Sequence, residues 1–444
     1  MLTNNNHLVN STFQVTLNLT LINSSSIFAA YLKKMRTLIQ SLAITLLTSA
    51  LNICTAQTKQ DSVKKEPVKP SEEKKTEWYQ KISLRGYVQA RYNRLLETNG
   101  KLQNEQGDRS VGNNGGFFLR RARLTFSGQV HPKVFFYIQS DYSQHVDANN
   151  QNYVQLRDAY FDLGVDKDNE FRFRIGQSKV PYGFDNIQSS SIRLTFDRSD
   201  AINSGMYNER DLGVFFYWAP KEKRKLFKHL AEANLKGSGD YGVFALGVFN
   251  GQTTNKAEAN NTPHVVSRFT YPVAIGKQII EPGIQAYTGK FVTTAASTGV
   301  ITKNSKAEYL DQRVAASFVL YPQPFGIQAE YNWGTGPEYN SSNNSIAQKH
   351  LEGGYVTASY RVQDKDQSFI PFARYQYYTG GKKPEKDARS YNVHEFEFGA
   401  EWQMNKNFEF TAAYDISKRK FEDSARPFNW QKGNFLRLQA QLNF

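Results

Sequence analysis

The segments from residue 82 to the end of the chain alternate between apolar and polar positions with a period of two. In the last segment Leu436, Leu438, Ala440, Leu442 and Phe444 share one face of an extended strand, and Phe435, Arg437, Gln439, Gln441 and Asn443 share the other. Because successive side chains of a strand point to opposite faces, one face suits an apolar environment and the other suits water. A strand of about ten such residues is typical of a membrane β-barrel. This segment alone also fits a half-buried strand of a soluble sheet.

The arginines indicate which face of these strands meets lipid. In the segment beginning near residue 117, Phe118, Ala122, Leu124 and Phe126 hold even positions, and Arg121 and Arg123 hold odd ones. An arginine at the bilayer midplane costs roughly 2–4 kcal/mol, so the even positions are predicted to face lipid. Arg120 is then exposed on that face, near a strand end where its long side chain can reach the interface.

About sixteen strands are predicted. They begin near residues 82, 117, 133, 153, 170, 211, 241, 264, 279, 309, 325, 352, 367, 391, 407 and 434. Their connections alternate between short ones, such as His131-Pro132, and long polar ones, such as 94–116, 289–308, 335–350 and 419–433. Short turns at one end and longer loops at the other are typical of outer-membrane barrels. The connection 220–239 is long and Lys-rich where a turn is expected, and the pattern does not explain it.

The fold class predicted from this pattern is all-β, a transmembrane antiparallel β-barrel of about sixteen strands over residues 82–444. A β-sandwich array and a β-propeller are the soluble alternatives. Neither explains the even strand count or the alternation of short and long connections, so the barrel is preferred.

Residues 1–56 are predicted to be a leader and signal peptide. Lys33, Lys34 and Arg36 precede a short apolar run at 38–53, and small residues at 54–56 place the cleavage site after Ala56. Met35 is a candidate for the true start, and a long natural leader is the alternative. A lipoprotein anchored at Cys54 is a further alternative, although Ile53 stands where a small residue is expected. Export from the cytoplasm follows from this interpretation.

Residues 57–81 are rich in Lys, Glu and Pro and are predicted to form a charged, solvated linker. A short helical oligomerisation element is the alternative, but Pro67 and Pro70 interrupt it.

Composition excludes several classes of function. The formal net charge is +14, but the basic residues are scattered singly through the strands, so nucleic acid is not predicted as a partner. The single cysteine, Cys54, lies in the predicted leader, which leaves the mature chain without a disulfide framework or a cysteine metal site. The seven histidines are dispersed, and no Ser/His/acid set or phosphate-binding glycine loop is present. Neither an enzyme nor a cofactor or metal is predicted.

The candidate functional residues lie on the inward face, because a sixteen-strand barrel is wide enough for an aqueous channel. The early strands are predicted to place Arg85, Arg91, Arg121, Arg123, Arg172 and Arg174 there. A basic wall attracts small anions. The later strands contribute an opposing acidic wall of Glu330, Glu395, Glu397, Glu401 and Glu409, which is predicted to weaken strict anion selectivity. The alternative is that all of these charges are merely solvated.

The connection after the fifth strand is unusually long, apolar and basic. It contains Phe184, Ile192, Leu194 and Phe196. Exposing these side chains to water is costly, so the connection is predicted to fold into the barrel and narrow the pore. Lys179, Arg193 and Arg198 would then line the constriction. Packing on the rim or at a subunit contact is the alternative.

Six segments resemble the phosphate-selective porin O and P family. They are Phe118–Leu124, Leu156–Tyr160, Gly176–Gly183, Ser189–Ser199, Gly247–Gly251 and Asn434–Leu438. The resemblance implies a sixteen-stranded trimeric porin in the outer membrane of a Gram-negative bacterium, with a long inward-folded loop. It also implies that the barrel-assembly machinery recognises Phe444.

The function predicted is passive diffusion of small hydrophilic solutes across the outer membrane, with a preference for anions such as phosphate. The early arginines match the family pattern only approximately, and the acidic later wall departs from it. A general non-selective porin therefore remains open, as does a structural or adhesive barrel whose loops bind a partner.

Overall fold

The computed structural model describes residues 78–96, 116–143 and 153–444. The predicted leader and most of the predicted linker lie outside the described residues. The last four residues of the predicted linker, Trp78–Lys81, form one turn of 3-10 helix directly before the first strand.

Sixteen antiparallel strands follow one another around a closed sheet in the described part of the chain. They are β1 Ile82–Leu95, β2 Gly116–His131, β3 Val134–Ser143, β4 Tyr153–Gly164, β5 Phe171–Lys179, β6 Arg210–Trp218, β7 Phe244–Phe249, β8 His264–Thr270 continued by Val273–Ile275, β9 Gln278–Val292, β10 Glu308–Leu320, β11 Phe325–Asn340, β12 Ser345–Tyr360 continued by Val362–Asp364, β13 Gln367–Gly381, β14 Ser390–Gln403, β15 Phe408–Asp423 and β16 Arg426–Asn443. Both pieces of β8 pair with β9, and both pieces of β12 pair with β13. The predicted barrel and strand count are confirmed.

Helices are few among the residues that the structure describes. Besides the turn at Trp78–Lys81, they lie in connections between strands and are α1 Phe184–Ile187, α2 Asp200–Asn203, α3 Lys221–Glu232 and a 3-10 turn at Lys386–Ala388. No described helix is long and apolar enough to span a membrane.

The barrel closes between its first and last strands. β1 pairs with β2 on one side and with β16 on the other, with Tyr87 opposite Asn443. Beyond that pair, the Gly86 N–H donates to the Phe444 carbonyl at 2.8 Å, and the Phe444 N–H donates to the Gly86 carbonyl at 3.0 Å. The end of the barrel that holds Phe444 and the turn at 132–133 is the turn end, and the opposite end is the loop end.

The faces of the last strand match the predicted alternation. Leu442 and Phe444 are about half exposed on the outer surface, whereas Arg437 and Gln441 are buried inside the barrel. The inward face of the sheet is polar and the outward face is apolar, as a lipid-facing barrel requires.

A β-bulge in β2 changes the predicted faces near Arg120. Gln89 pairs with Arg121 while Ala90 pairs with Leu119, so Arg120 is the extra residue between them. The bulge turns Arg120 inward, where its guanidinium lies 3.5 Å from the Asp197 carboxylate. Beyond the bulge the outward positions are Phe117 and Leu119. The prediction that Phe118 and Arg120 face lipid is therefore wrong.

A second bulge inserts another arginine into the lumen. In the β3–β4 pair, Gln139 lies opposite Asp158 and Ser140 lies opposite Leu156, which leaves Arg157 as the extra residue. Arg157 and Asp158 are both buried inside, although they are neighbours in sequence.

Three connections differ from their predicted form. The segments 335–350 and 419–433 are mostly strand, because β11 continues to Asn340 and β15 to Asp423, so the prediction of long loops there is wrong. The unexplained connection 220–239 contains α3 and lies at the turn end.

Candidate functional site

The connection after β5, residues 180–209, folds into the barrel and is called the lumen loop. Phe184 and Phe196 are only 1% and 2% exposed. The predicted inward-folded loop is therefore confirmed, and packing on the rim is excluded.

Backbone N–H groups of the lumen loop bind acids and an amide on the far wall. The Phe184 and Asp185 N–H groups donate to the two carboxylate oxygens of Glu330 on β11, at 2.6 and 2.8 Å. The Phe196 N–H donates to Glu397 on β14 at 3.1 Å. The Asp200 N–H donates to Gln376 on β13 at 3.0 Å. Glu330 and Glu397, predicted as part of an open acidic wall, thus hold the loop in place.

Acidic side chains of the loop also pair with basic residues of the wall. Asp197 contacts Arg437 and lies 3.9 Å from Arg91 and 3.5 Å from Arg120. Burial opposes ionisation of Asp197, but the charges of Arg437, Arg91 and Arg120 outweigh it and hold the pKa of Asp197 well below its ordinary value.

An aromatic ring completes this contact. The Phe196 ring centre lies 4.5 Å from the guanidinium carbon of Arg91 and 4.8 Å from that of Arg437. Such cation–π contacts are stabilising where water is excluded. Arg91, predicted to line the pore, instead fixes the lumen loop.

The connection between β6 and β7, residues 219–243, forms a second insert that is called the turn-end insert. Phe227 and Leu230 are three residues apart, which puts them on one face of α3, and both are buried. Leu230 and Leu235 pack with Phe184 of the lumen loop and with the inward side chains Ile279, Val319 and Tyr321. This apolar cluster explains why a Lys-rich segment folds against the barrel.

The two inserts contact each other within the barrel. The side-chain amide of Gln188 in the lumen loop donates to the carbonyl of Lys236 in the turn-end insert at 2.6 Å. The Lys236 ammonium lies 2.6 Å from the Glu401 carboxylate on β14. The inserts therefore reach across the lumen from opposite ends and meet.

The inserts fill one side of the lumen and leave the other side open. Between Leu235, Arg193 and the β10–β12 wall, a void of about 20 Å³ remains, which is room for about one water. Against β1–β5 a cavity of about 760 Å³ lies at the turn end.

This larger cavity is predominantly basic. Its basic lining residues are Arg85, Arg123, Lys133, Arg172, Arg174, Lys179, Arg210, Lys221, Arg224, Lys225 and Lys228, and its acidic ones are Asp158, Asp162, Asp168, Glu232 and Asp240. The excess of positive charge creates a potential that attracts anions.

Five of the nine predicted site residues line this cavity: Arg85, Arg123, Arg172, Arg174 and Lys179. Three of them are paired with acids. Arg123 lies 2.8 Å from Asp141, Arg172 lies 2.6 Å from Asp240, and Arg174 bridges to Asp162.

Arg85 and Lys179 differ from those three. Arg85 stacks over the Tyr137 ring at 5.8 Å and has no acid within 4.0 Å among the described residues. Lys179 donates to the carbonyls of Ile187 and Gln188 in the lumen loop, at 2.8 and 3.0 Å.

The other four predicted residues, Arg91, Arg121, Arg193 and Arg198, are buried. Arg91 joins the wall to the lumen loop, Arg121 bonds within the wall, and Arg193 and Arg198 bond within the lumen loop. Arg198 lies 2.8 Å from Glu209. Arg193 donates to the Phe196 carbonyl at 3.1 Å. Arg121 donates to the Gln89 side-chain oxygen at 3.1 Å and has Arg120, Arg123 and Arg193 as charged neighbours.

Several basic residues of the cavity were missed by sequence reasoning. Lys221, Arg224, Lys225 and Lys228 belong to α3, and Arg210 begins β6. The signal for α3 was present in the spacing of Phe227 and Leu230, but it does not reveal that the helix folds against the barrel mouth.

The predicted acidic wall is inward and buried, and the inserts cover much of it. Glu395 lies 3.1 Å from Arg419, and Glu397 lies 4.0 Å from Arg374. None of the five predicted acids lines the large cavity.

Comparison with known protein families and structures agrees with the barrel fold. The model of the phosphate-selective porin O and P family matches residues 96–444. The chain belongs to this family. Family membership and fold together support an outer-membrane porin channel.

Solved structures support the fold of this porin. It is similar to the outer-membrane channel DcaP of Acinetobacter baumannii, with 14% identity, coverage of 82% of this chain and 97% of that one, and a TM-score of 0.51. It is also similar to OmpF of Salmonella typhi, solved with daunomycin, with 13% identity, the same two coverages and a TM-score of 0.51. No curated protein sequence matches the porin.

Proposed function

We propose that this porin lets small hydrophilic solutes diffuse across the outer membrane and favours anions, phosphate among them. The observation that carries the proposal is the cavity of about 760 Å³, in which basic lining residues outnumber acidic ones by eleven to five. The charges act beside a low-dielectric wall, where attraction is stronger than in bulk water.

The arrangement of the inserts supports the same preference. Glu330, Glu397 and Glu401 bind the lumen loop or the turn-end insert, so a solute in the large cavity meets mainly the basic wall. Arg85 supports it further, because its charge is not neutralised by a neighbouring acid among the described residues.

A general non-selective porin is the second candidate. It is favoured by the pairing of Arg123, Arg172 and Arg174 with acids, since a paired charge attracts a passing ion less than a lone one does. An adhesive barrel lacks a comparable supporting observation.

The proposal also covers assembly and location. Residues 1–56 would be removed on export, with the turn end facing the periplasm of a Gram-negative bacterium. The barrel-assembly machinery would recognise Phe444, outer-membrane lipid would surround the apolar outer face, and three copies would form a homotrimer.

The test is the reversal potential of the purified porin in a planar bilayer under a KCl gradient. A potential on the chloride side, with chloride current reduced by added phosphate, supports the anion pathway. A potential near zero or on the potassium side contradicts it and supports the non-selective porin. Absence of channels would favour the adhesive barrel.

A further inference from the structure

Lys236 is placed within the barrel by the turn-end insert and faces the acids of β14 and β15. Its ammonium lies 2.6 Å from the Glu401 carboxylate, and the side chains of Lys236 and Glu401 are 5% and 1% exposed. No other described basic side chain lies within 4.0 Å of Glu401. Glu409, on the neighbouring strand, has Glu401 and Lys236 as its charged neighbours. Lys236 is therefore the basic side chain in direct contact with this acidic pair, and Arg361, beside β12, is a more distant charged neighbour of Glu401.

The backbone at Lys236 is held in an uncommon conformation. Its φ is 66°, in the left-handed region that side chains other than glycine seldom adopt. Its carbonyl accepts the hydrogen bond from Gln188, and the following Gly237 packs so tightly that a Cβ there would lie 2.8 Å from Cβ of Leu230. The hydrogen bond from the lumen loop and the tight packing within the turn-end insert therefore fix the direction in which the Lys236 side chain points.

The position and charge of Lys236 suggest that it offsets the negative charge of Glu401 and Glu409, which do not line the large cavity. An unpaired Glu401 beside Glu409 would place a concentrated negative charge on the inward face, and such acidic groups favour cations in channels. Burying two carboxylates without a counter-charge is also costly. Lys236, which belongs to the turn-end insert and not to the barrel wall, both reduces this negative charge and supplies the counter-charge for the buried carboxylates.

We propose that Lys236 determines selectivity by neutralising the Glu401–Glu409 pair, so that the acidic side of the lumen does not recruit cations. The inference deepens the proposed function and rests on it. The turn-end insert thus supplies the charge that lets an anion-favouring pore contain an acidic wall.

The test compares reversal potentials of the full-length porin and its variants under one KCl gradient. Lys236→Gln should move the potential toward the potassium side, lowering the anion-to-cation permeability ratio at least about twofold, the effect of one unit charge roughly 8 Å away in water. Lys236→Gln combined with Glu401→Gln should return it toward the wild-type value, because the local net charge is restored. The control is Lys406→Gln, an exposed lysine in the turn after β14, which should leave the potential unchanged.

Folding is checked for each variant by its heat-dependent migration on SDS gels. If Lys236→Gln does not fold, Glu401→Gln alone provides the test, since it leaves the Lys236 charge unpaired and should move the potential toward the chloride side. Folded Lys236→Gln or Glu401→Gln channels with the wild-type potential would overturn the inference, as would failure of the double variant to restore it. A wild-type channel without anion preference would refute the proposed function. The test of Lys236 would still be interpretable, because each of its results is a difference in reversal potential between a variant and the wild type.

Discussion

Arg174 donates from Nε and Nη2 to the two carboxylate oxygens of Asp162, at 2.8 and 2.9 Å, in the wall of the basic cavity. The same guanidinium lies 4.0 Å from the centre of the Tyr160 ring. A residue predicted to bind passing anions is thus already neutralised by its neighbour on the adjacent strand, and its position is held by an aromatic contact as well.

Replacing Asp162 with Asn should make the pore more anion-selective. The amide keeps the shape and a hydrogen bond acceptor, while Tyr160 keeps Arg174 in place, so the cavity gains one net positive charge. We expect the anion-to-cation permeability ratio to rise about twofold. Reversal potentials in a KCl gradient measure this, with Asp366→Asn in an exposed turn as the control. A ratio that falls would mean that Arg174 loses its position.

Replacing Arg85 with Gln should make the pore less anion-selective. Arg85 lies on the exposed inward surface of β1, and its single described contact is the Tyr137 ring at 5.8 Å. We expect the permeability ratio to fall about twofold with no change in the temperature of unfolding, because no buried pair is broken. Lys365→Gln, in the turn between β12 and β13, is the matched control. An unchanged ratio would remove Arg85 from the solute pathway.

The anchoring of the lumen loop by Asp197 should depend on pH. The pKa of Asp197 is held well below its ordinary value, because Arg437, Arg91 and Arg120 outweigh the effect of burial. A carboxylate with a lowered folded pKa contributes stability that is fully present above its unfolded pKa, about 3.9, and is lost as the pH falls through the folded pKa. Asp197→Asn should therefore destabilise the barrel at pH 7, and the difference from wild type should shrink below about pH 4.

Thermal unfolding in detergent at pH 7 and pH 3 would measure this difference. Asp364→Asn, exposed at the end of β12, is the control and should match wild type at both values. A gap between Asp197→Asn and wild type that stays constant across the range would show that the carboxylate charge does not anchor the loop.

Closure of the barrel should depend on Gly86. A Cβ there would lie 2.4 Å from the carbonyl oxygen of Arg123 and 2.7 Å from Cζ of Phe444, and the first of these atoms belongs to a paired backbone that cannot move freely. Gly86→Ala should destabilise the barrel by about 1–3 kcal/mol through overpacking. The temperature at which folded barrel disappears from SDS gels reports the loss. Val88→Ala on the same outward face should change it less.

Alternation predicts the strands because each barrel strand carries its own lipid-facing signal. Most predicted starts fall within three residues of the observed ones. The bulges at Arg120 and Arg157 could not be predicted from the sequence, because a bulge is an extra residue relative to the register of the partner strand. The extensions of β11 and β15 beyond the apolar part of the barrel were missed because their side chains are polar there.

The candidate site was predictable in its residue types but not in its pairing. Inward arginines follow from the cost of arginine in lipid, yet whether each one meets an acid depends on register and on which inserts enter the lumen. Arg91 and Arg198 therefore turned out to lie in loop contacts, whereas α3 brings Lys225 to the cavity from a segment with no strand pattern.

The packing of the two inserts against each other should control the current noise and the mean conductance of the open channel. Phe184 is 1% exposed and packs with Leu230 and Leu235 of the turn-end insert and with Tyr321 of the wall. Phe184→Ala would leave a cavity in this cluster, a change that costs about 3–5 kcal/mol in protein cores. The hydrogen bonds from the backbone to Glu330 do not need the phenyl ring, so the lumen loop should stay inside the barrel while the turn-end insert loosens. Single-channel records should then show more current noise and a larger mean conductance.

Phe269→Ala, on the outward face of β8, is the control for this prediction. It removes the same ring without touching the inserts, and it should keep the wild-type noise. A quiet Phe184→Ala channel of wild-type conductance would show that the inserts are held in place independently of each other.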